Sequence, residues 1–249
     1  MQPIMPGERL PSHRVTLPHF LAERTTMQDI MTANRAFHFI WFGKPMPDHL
    51  RQNIVAWGHM HPAWKMNLWT ESNLPKLRNQ DLFDNAENLV PVDAVNQFRA
   101  DLARYELLYD MGGFYADVDT RPLKSIDAEL EGHDVFAAME DRTYVGNTYL
   151  GSVPGHLIMR EIIGAIPGSV KRNPGKRPNV LTGPKFLTPI WKHRGGYTAP
   201  SERFYPYSYS HVKDGNVPTQ FGPEVICVHS WNHTAEVMER RKGRRAHTR

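Results

Sequence analysis

Two aspartates separated by one residue are the part of this sequence best suited to chemistry. Apolar and polar residues alternate from 114 to 119, as in a half-buried strand, which predicts that Tyr115, Asp117 and Asp119 lie on one side. Adjacent carboxylates repel each other unless a cation lies between them. Their oxygens suit hard or borderline ions such as Mn²⁺ and Mg²⁺. The spacing therefore predicts a divalent-metal site at Asp117 and Asp119.

The segment before these aspartates predicts a helix over residues 98–110. Its apolar stripe consists of Phe98, Leu102, Tyr105 and Tyr109. Asp101 and Arg104 project from one flank of the stripe. They form either an i,i+3 ion pair worth a few tenths of a kcal/mol, or a pair that reaches into a cleft and binds a polar ligand. Gly112 and Gly113 end the helix and lead directly to the aspartates, which favours the cleft.

The remaining pattern interleaves strands with helices. Strands are predicted at 36–42, 64–69, 135–139, 144–150, 203–209 and 225–229, and helices at 48–59 and 156–166. Such interleaving is typical of an α/β protein with a mainly parallel sheet flanked by helices. Ligands bind such sheets at the carboxyl ends of the strands. The run 182–184, Thr-Gly-Pro, predicts a further helix start, whose hydroxyl and amides could line an acceptor cleft.

Length and composition predict one domain with two extensions. The 249 residues suffice for a single core, which we expect at 34–235, after a poorly ordered extension (1–33) and before a basic tail (236–249). No apolar stretch reaches the roughly 18–20 residues of a membrane span, and no signal peptide is evident. The single cysteine, Cys227, cannot form an internal disulfide. These features predict a cytoplasmic protein.

The basic character is concentrated in the tail. Residues 240–249 hold six of the thirty Lys and Arg residues and no acidic residue, so the rest carries 24 positive against 26 negative charges. The tail is either a solvated terminus or an anchor for an anionic acceptor, a nucleic acid or a membrane surface.

One long motif resembles a known family. The pattern R-x-D-x-x-R-Y-x-x-L-Y-x-x-G-G-x-Y-x-D-x-D, from Arg99 to Asp119, resembles the signature of the glycosyltransferase family with the DXD sugar-binding region. That family includes α-1,6-mannosyltransferases, capsular polysaccharide transferases and toxin glucosyltransferase domains. Shorter similarities at 38–41, Trp69, 182–184 and 229–231 extend the resemblance over about residues 36–235.

The resemblance implies a GT-A fold, in which a Rossmann-like nucleotide-binding half and an acceptor-binding half form one domain. It also implies a retaining, Mn²⁺- or Mg²⁺-dependent transfer from a nucleotide sugar, a UDP-sugar first and GDP-mannose second. The acceptor would be a hydroxyl, for example on a glycan.

The resemblance also assigns roles to residues. Asp117 and Asp119 engage the metal, the diphosphate and the donor, and Asp101 and Arg104 hold hydroxyls of the transferred sugar. Trp231 completes this catalytic set near the diphosphate.

The same resemblance extends the site beyond these residues. His229 is the third metal ligand, with Ser230 as its competitor, and Tyr115 lies near the nucleotide. The aromatic strand with Phe39 and Trp41 faces the base. From its position on a predicted strand, and not from the resemblance, Asn147 is expected either to contact the donor sugar or the acceptor or to form a turn.

Two other functions remain open. A non-catalytic protein that binds a sugar nucleotide or glycan would retain the fold, but would not need the complete set of aspartates, Asp101 and Arg104. A DNA glycosyltransferase acting on a hydroxylated base would use the basic tail, although fold-level analogy carries no information about the acceptor.

Overall fold

The computed structural model describes residues 29–231, except for the side chains of Met31 and Thr32. The strands are β1 (Ala36–Ile40), β2 (Lys65–Trp69), β3 (Gly113–Ala116), β4 (Thr120–Pro122), β5 (Val135–Met139), β6 (Val145–Ser152), β7 (Tyr197–Ala199) and β8 (Cys227–His229). The helices are α1 (Ile30–Ala33), α2 (Asp48–Met60), α3 (Gln80–Asp84), α4 (Ala86–Leu89), α5 (Val95–Met111), α6 (Asp127–Leu130), α7 (Leu157–Arg172), α8 (Pro178–Leu181), α9 (Pro184–Arg194), α10 (Ser201–Phe204) and α11 (Tyr209–Lys213), with a 3₁₀ turn at Val92–Ala94.

Six strands form a mixed central sheet in the order β2-β1-β3-β6-β5-β7. The pairs β1–β2, β1–β3 and β5–β7 are parallel, whereas β6 runs antiparallel to both of its neighbours. Strands β4 and β8 form a separate antiparallel ribbon. The prediction of a mainly parallel sheet in an α/β, GT-A fold with a single domain is confirmed.

Both faces of the central sheet are buried. Alternate residues of a strand face opposite sides, so Phe114 packs into one apolar cluster and Tyr115 into the other. Helices α5, α7 and α9 cover the Tyr115 side, and α2 and α10 cover the Phe114 side. This double burial explains why β1 is apolar along almost its whole length.

The central helix lies deep in the protein. Ten of the seventeen residues of α5 are buried, and these include the charged residues Asp101, Arg104 and Glu106. Helix α5 therefore presents charge to the interior, where every polar group needs a partner. Glu106 finds its partners in the backbone N–H groups of Arg78 and Asn79, before α3.

Three details differ from the sequence predictions. Within residues 29–231 the first regular element is α1, in which Ile30 is fully buried, and it precedes the strand predicted from Ala36. The strand predicted at 203–209 is wrong, because α10 and α11 occupy this region and Pro206, which has no N–H to donate, lies between them. The strand predicted through Asp119 ends at Ala116.

Most of the two expected extensions, 1–33 and 236–249, lies outside the described residues, and the domain boundaries stay predictions. Within residues 29–231, no helix combines the length and the apolar character needed to cross a membrane.

Candidate active site

A pair of glycines delivers the strand that carries the aspartates. Gly112 and Gly113 have φ values of +66° and +95°, which side-chain-bearing residues rarely adopt. The carbonyl of Gly112 accepts a hydrogen bond from Nε2 of His38 at 2.9 Å, and Nδ1 of His38 accepts one from the Trp69 indole at 3.0 Å. The start of β3 is thus tied to β1 and β2 as well as to α5.

A tight turn, rather than a strand, holds the two aspartates. The Asp117 carbonyl accepts hydrogen bonds from the N–H of Thr120 at 3.1 Å and from its hydroxyl at 2.6 Å. The chain reverses from β3 into β4 at this point. The turn lies at the carboxyl end of β3, the edge of an α/β sheet where ligands bind.

The turn brings Asp117 and Asp119 together with His229, 110 residues after Asp119. One ligand atom from each of the three lies within 4.8 Å of the others. Nε2 of His229 lies 3.0 Å from Oδ1 of Asp119, whereas its Nδ1 is buried without a hydrogen-bond partner among the described residues. A buried imidazole that lies beside two carboxylates and leaves one ring nitrogen unsatisfied fits a divalent-metal site.

The charges around this cluster point the same way. Burial lowers the pKa of His229, but Asp119, through its charge and its hydrogen bond, and Asp117 raise it above its ordinary value. The carboxyl groups of Asp101 and Asp117 share the guanidinium of Arg104, and the carboxyl group of Asp119 faces His229. A divalent cation would balance the remaining negative charge.

Arg104 joins the helix to the metal cluster. Its guanidinium lies 3.1 Å from Asp101 Oδ1 and 3.3 Å from Asp117 Oδ1, donates to the Asn147 carbonyl at 2.5 Å, and lies over the Tyr115 ring. Burial lowers the pKa of Arg104, but Tyr115 and both aspartates raise it overall. The i,i+3 ion pair anticipated from the sequence therefore exists, but in the interior and beside the site.

The second strand of the site is β6, which pairs antiparallel with β3. Asn147 donates to Asp101 Oδ1 at 3.0 Å, so it belongs to the network and does not form a turn. The next residue, Thr148, donates from its hydroxyl to Asp117 Oδ2 at 2.8 Å, and the Tyr115 hydroxyl donates to Asp117 Oδ1 at 2.6 Å. Donors on both carboxylate oxygens fix the orientation of Asp117.

The segment after β8 closes the site. The Ser230 N–H and hydroxyl both donate to the Asp119 carbonyl at 2.9 Å, so this serine holds the turn. The Trp231 ring lies 4.3 Å from the His229 ring, and its indole N–H donates to the Tyr207 carbonyl at 3.3 Å. Trp231 has φ +58°, a strained value for a bulky residue, as is frequent at functional sites.

Of the two aromatic residues predicted to face the base, Phe39 does not line the site. It is fully buried in the apolar cluster with Trp57 and Phe114, because it points to the α2 side of the sheet. Trp41 follows β1 at the carboxyl edge and is partly exposed, with its indole N–H donating to the Lys44 carbonyl at 2.6 Å. That leaves Trp41 as the aromatic candidate on this strand.

Two of the neighbouring residues were not identified from the sequence. Glu140 directly follows β5, and its pKa is raised to about 7 by burial, although His229 opposes the shift. Its position after a buried strand was a usable signal, because such positions carry the chemistry in α/β sheets. The Thr148 hydroxyl carried no such signal.

Part of the chain that forms this site matches a known family. Residues 47–137 match the family described as the glycosyltransferase sugar-binding region containing a DXD motif. Inositol phosphoceramide mannosyltransferase 1 of Schizosaccharomyces pombe is 23% identical over 193 residues, which is 74% of this chain and 59% of that protein. The mannosyl phosphorylinositol ceramide synthase SUR1 of Saccharomyces cerevisiae is 27% identical over 164 residues, 64% of this chain and 41% of that protein.

This chain spans about half the length of these yeast relatives. A solved structure, PaToxG glycosyltransferase, is similar in fold, with a TM-score of 0.52 and 15% identity over 65% of this chain and 70% of that one. The long motif, the aspartate turn and the sheet that presents them agree with these similarities. Residues 47–137 therefore belong to the glycosyltransferase family whose sugar-binding region contains a DXD motif.

Proposed function

We propose that this protein is a metal-dependent, retaining glycosyltransferase that moves mannose from a nucleotide sugar to a hydroxyl acceptor. The observation that carries the proposal is the convergence of Asp117, Asp119 and His229 at a sheet edge, directly beside the buried pair Asp101 and Arg104. A binding protein would not require this arrangement to be complete. The match of residues 47–137 to a glycosyltransferase family supports the same reaction class.

The relatives bear on the choice of sugar. One yeast protein is named an inositol phosphoceramide mannosyltransferase, and the other is named a mannosyl phosphorylinositol ceramide synthase. We therefore place GDP-mannose ahead of the UDP-sugars as donor, and we propose an acceptor hydroxyl on an inositol headgroup or a glycan.

Each side chain would have a distinct part in the reaction. Asp117, Asp119 and His229 would hold the metal, which supplies positive charge to the oxygens of the departing diphosphate. Asp101, held by Arg104 and Asn147, would face the transferred sugar and favour the positive charge that develops at its anomeric carbon.

Arg104 would act through the two carboxylates it holds rather than on the diphosphate. Its guanidinium contacts Asp101, Asp117, the Tyr115 ring and the carbonyls of Ala100 and Asn147, and only 4% of the side chain is exposed. In this role Arg104 does not stabilise the leaving group directly. The arginine fixes both carboxylates before substrate arrives, so that less reorganisation is needed in the transition state.

We propose a same-face reaction. The bond from the anomeric carbon to the phosphate oxygen breaks as the acceptor oxygen bonds to that carbon from the same side. The proton of the acceptor hydroxyl passes to the departing phosphate oxygen. A donor with the α configuration then gives an α-linked product, whose one-bond coupling between C1 and H1 in NMR distinguishes retention from inversion. A β-linked product, or a glycosyl adduct on the protein found by mass spectrometry, would contradict this mechanism.

The test of the function is turnover of nucleotide sugars. The protein would be incubated with GDP-mannose, and separately with UDP-sugars, in Mn²⁺ and with inositol-phosphate or mannoside acceptors, and released nucleoside diphosphate would be measured. We expect release from one donor, loss of release in EDTA, and loss in Asp119→Asn. Asp84→Asn, on the exposed side of α3, is the matched control and should retain activity.

The outcomes separate the alternatives. Donor binding with no turnover on any acceptor would favour the non-catalytic interpretation. Failure to bind any nucleotide sugar, with or without metal, would contradict the proposal. The relatives give no support to a DNA acceptor, and the basic tail that motivated it lies outside the described residues. The cytoplasmic location also stays a prediction.

A further inference from the structure

The turn between α8 and α9 carries a threonine that the proposed mechanism does not use. Thr182 is fully buried and lies 81 residues after Asp101 in the chain. Its hydroxyl donates to Asp101 Oδ2 at 2.6 Å. In the described part of the chain, the only other acceptor within reach of this hydroxyl is the Pro178 carbonyl, 3.4 Å away. The single hydroxyl proton therefore goes to the carboxylate.

The donors around Asp101 divide between its two oxygens. Oδ1 faces the amide of Asn147 at 3.0 Å and the guanidinium of Arg104 at 3.1 Å. Oδ2 accepts a hydrogen bond from Thr182. Without the hydroxyl, residues 29–231 would hold the carboxylate through hydrogen bonds at Oδ1 alone, and its plane could turn about that oxygen. Thr182 thus determines the orientation of the Asp101 carboxylate.

The turn around Thr182 is itself held in place. The hydroxyl of Tyr105, on α5, donates to the Thr182 carbonyl at 2.6 Å, and the Thr182 N–H donates to the Pro178 carbonyl at 2.9 Å. At Gly183, a side chain would come within 2.9 Å of the Asn179 Cα, so the backbone packs closely here. A hydroxyl on so constrained a turn can set the position of its partner.

We propose that Thr182 is a positioning residue for sugar transfer, which holds the Asp101 carboxylate in the orientation in which it meets the transferred sugar. This inference rests on the proposed function. Misalignment of Asp101 should weaken an interaction that matters most in the transition state, so kcat should fall more than KM rises. This role replaces the sequence-based expectation that the Thr182 hydroxyl lines an acceptor cleft, because that hydroxyl donates to Asp101.

Three variants test the proposal. Thr182→Val removes the hydroxyl but keeps the shape, and should lower kcat/KM by about 10–100-fold, mainly through kcat. Thr182→Ser keeps the hydroxyl and should restore kcat/KM to within about threefold of the wild type. Thr188→Val is the matched control, because Thr188 is buried and hydrogen-bonded to the Pro184 carbonyl at 2.6 Å and the Val145 N–H at 2.9 Å, and has no recorded bond to Asp101.

The control should lose thermal stability but keep kcat/KM within about threefold of the wild type. Wild-type kcat/KM in Thr182→Val would overturn the proposal. So would an equal loss in Thr188→Val, or failure of Thr182→Ser to restore activity.

A second measurement does not depend on activity. In a double-mutant cycle with Thr182→Val and Asp101→Ala, the effects on urea unfolding should be strongly non-additive, because both variants remove the same contact. Additive effects would overturn the proposal whatever the activity. A wild type that turns over no donor, combined with non-additive unfolding, would contradict the proposed function and leave the Thr182–Asp101 coupling established.

Discussion

His38 makes the fold sensitive to acid through one buried imidazole. The side chain is 1% exposed, and both ring nitrogens are engaged. The Trp69 indole can only donate, so Nδ1 of His38 is the acceptor and Nε2 carries the proton that is donated to the Gly112 carbonyl. Protonation at Nδ1 would place two N–H groups against each other. The neutral form is therefore the one that the structure accommodates.

The sign and size of the effect follow from the pKa. Burial lowers the pKa of His38 from 6.5 to about 4, the hydrogen bond to Gly112 opposes this shift, and the charge of Lys65 adds to it. Above pH 6.5 the imidazole is neutral in both folded and unfolded chains, and the stability is complete. Between pH 6.5 and 4 only the unfolded chain gains the proton, which costs roughly 3 kcal/mol of unfolding free energy in total.

The assay compares wild type with His38→Gln, which cannot titrate, by urea unfolding between pH 7.5 and 4.5. The wild type should lose about 1.4 kcal/mol more per pH unit than the variant between pH 6 and 4.5. His61 and His156, whose pKa values are also lowered by burial, are present in both proteins and cancel in the difference. Parallel pH profiles for the two proteins would refute the reasoning.

Three further predictions concern the site and the strand that carries it. Saturating Mn²⁺ should raise the Tm of the wild type by about 5 °C or more in a thermal-shift assay. The variants Asp119→Asn and His229→Ala should show no such shift. A shift that persists in both variants would contradict the metal assignment. Gly113→Ala should lower the free energy of unfolding in urea by at least about 2 kcal/mol, because φ is +95° and the new methyl group would collide with the Ala36 carbonyl. An unchanged free energy of unfolding would show that β3 can shift to make room. Arg104→Met should lower the free energy of unfolding by about 3–5 kcal/mol, since it leaves Asp101 and Asp117 without their cation. An unchanged Tm in calorimetry would contradict the stabilising role of this charge network.

The sequence pattern predicted the elements whose residues repeat regularly. The strands at 64–69, 135–139 and 225–229 and the helix at 48–59 lie close to β2, β5, β8 and α2. The strand predicted at 203–209 was wrong, because the many aromatic residues of this segment suggested a strand although Pro206 interrupts it. Aromatic residues are favoured in strands, and here their burial is provided by short helices packed on the Phe114 side of the sheet.

Asp117, Asp119 and His229, which were named from the sequence, lie together in the structure, but the sequence did not determine their geometry. Alternation placed Asp117 and Asp119 together, yet a strand and a tight turn fit the same spacing, and the hydrogen bonds of the Asp117 carbonyl to Thr120 decide between them. The contact between Thr182 and Asp101 joins residues 81 positions apart. No local pattern carries such a pairing, because it depends on how α5 and the turn before α9 pack in three dimensions.

The position of Arg104 between two aspartates has a consequence for how such a site can change in evolution. Losing the arginine first leaves the buried Asp101 and the partly buried Asp117 without their cation, whereas losing either aspartate first takes a partner from a buried cation. Every single-step intermediate is therefore less stable than its starting point. The effects of mutations at these three residues therefore depend on one another. A change of specificity is reached more readily by substitutions in the surrounding loops than by substitutions at these three positions.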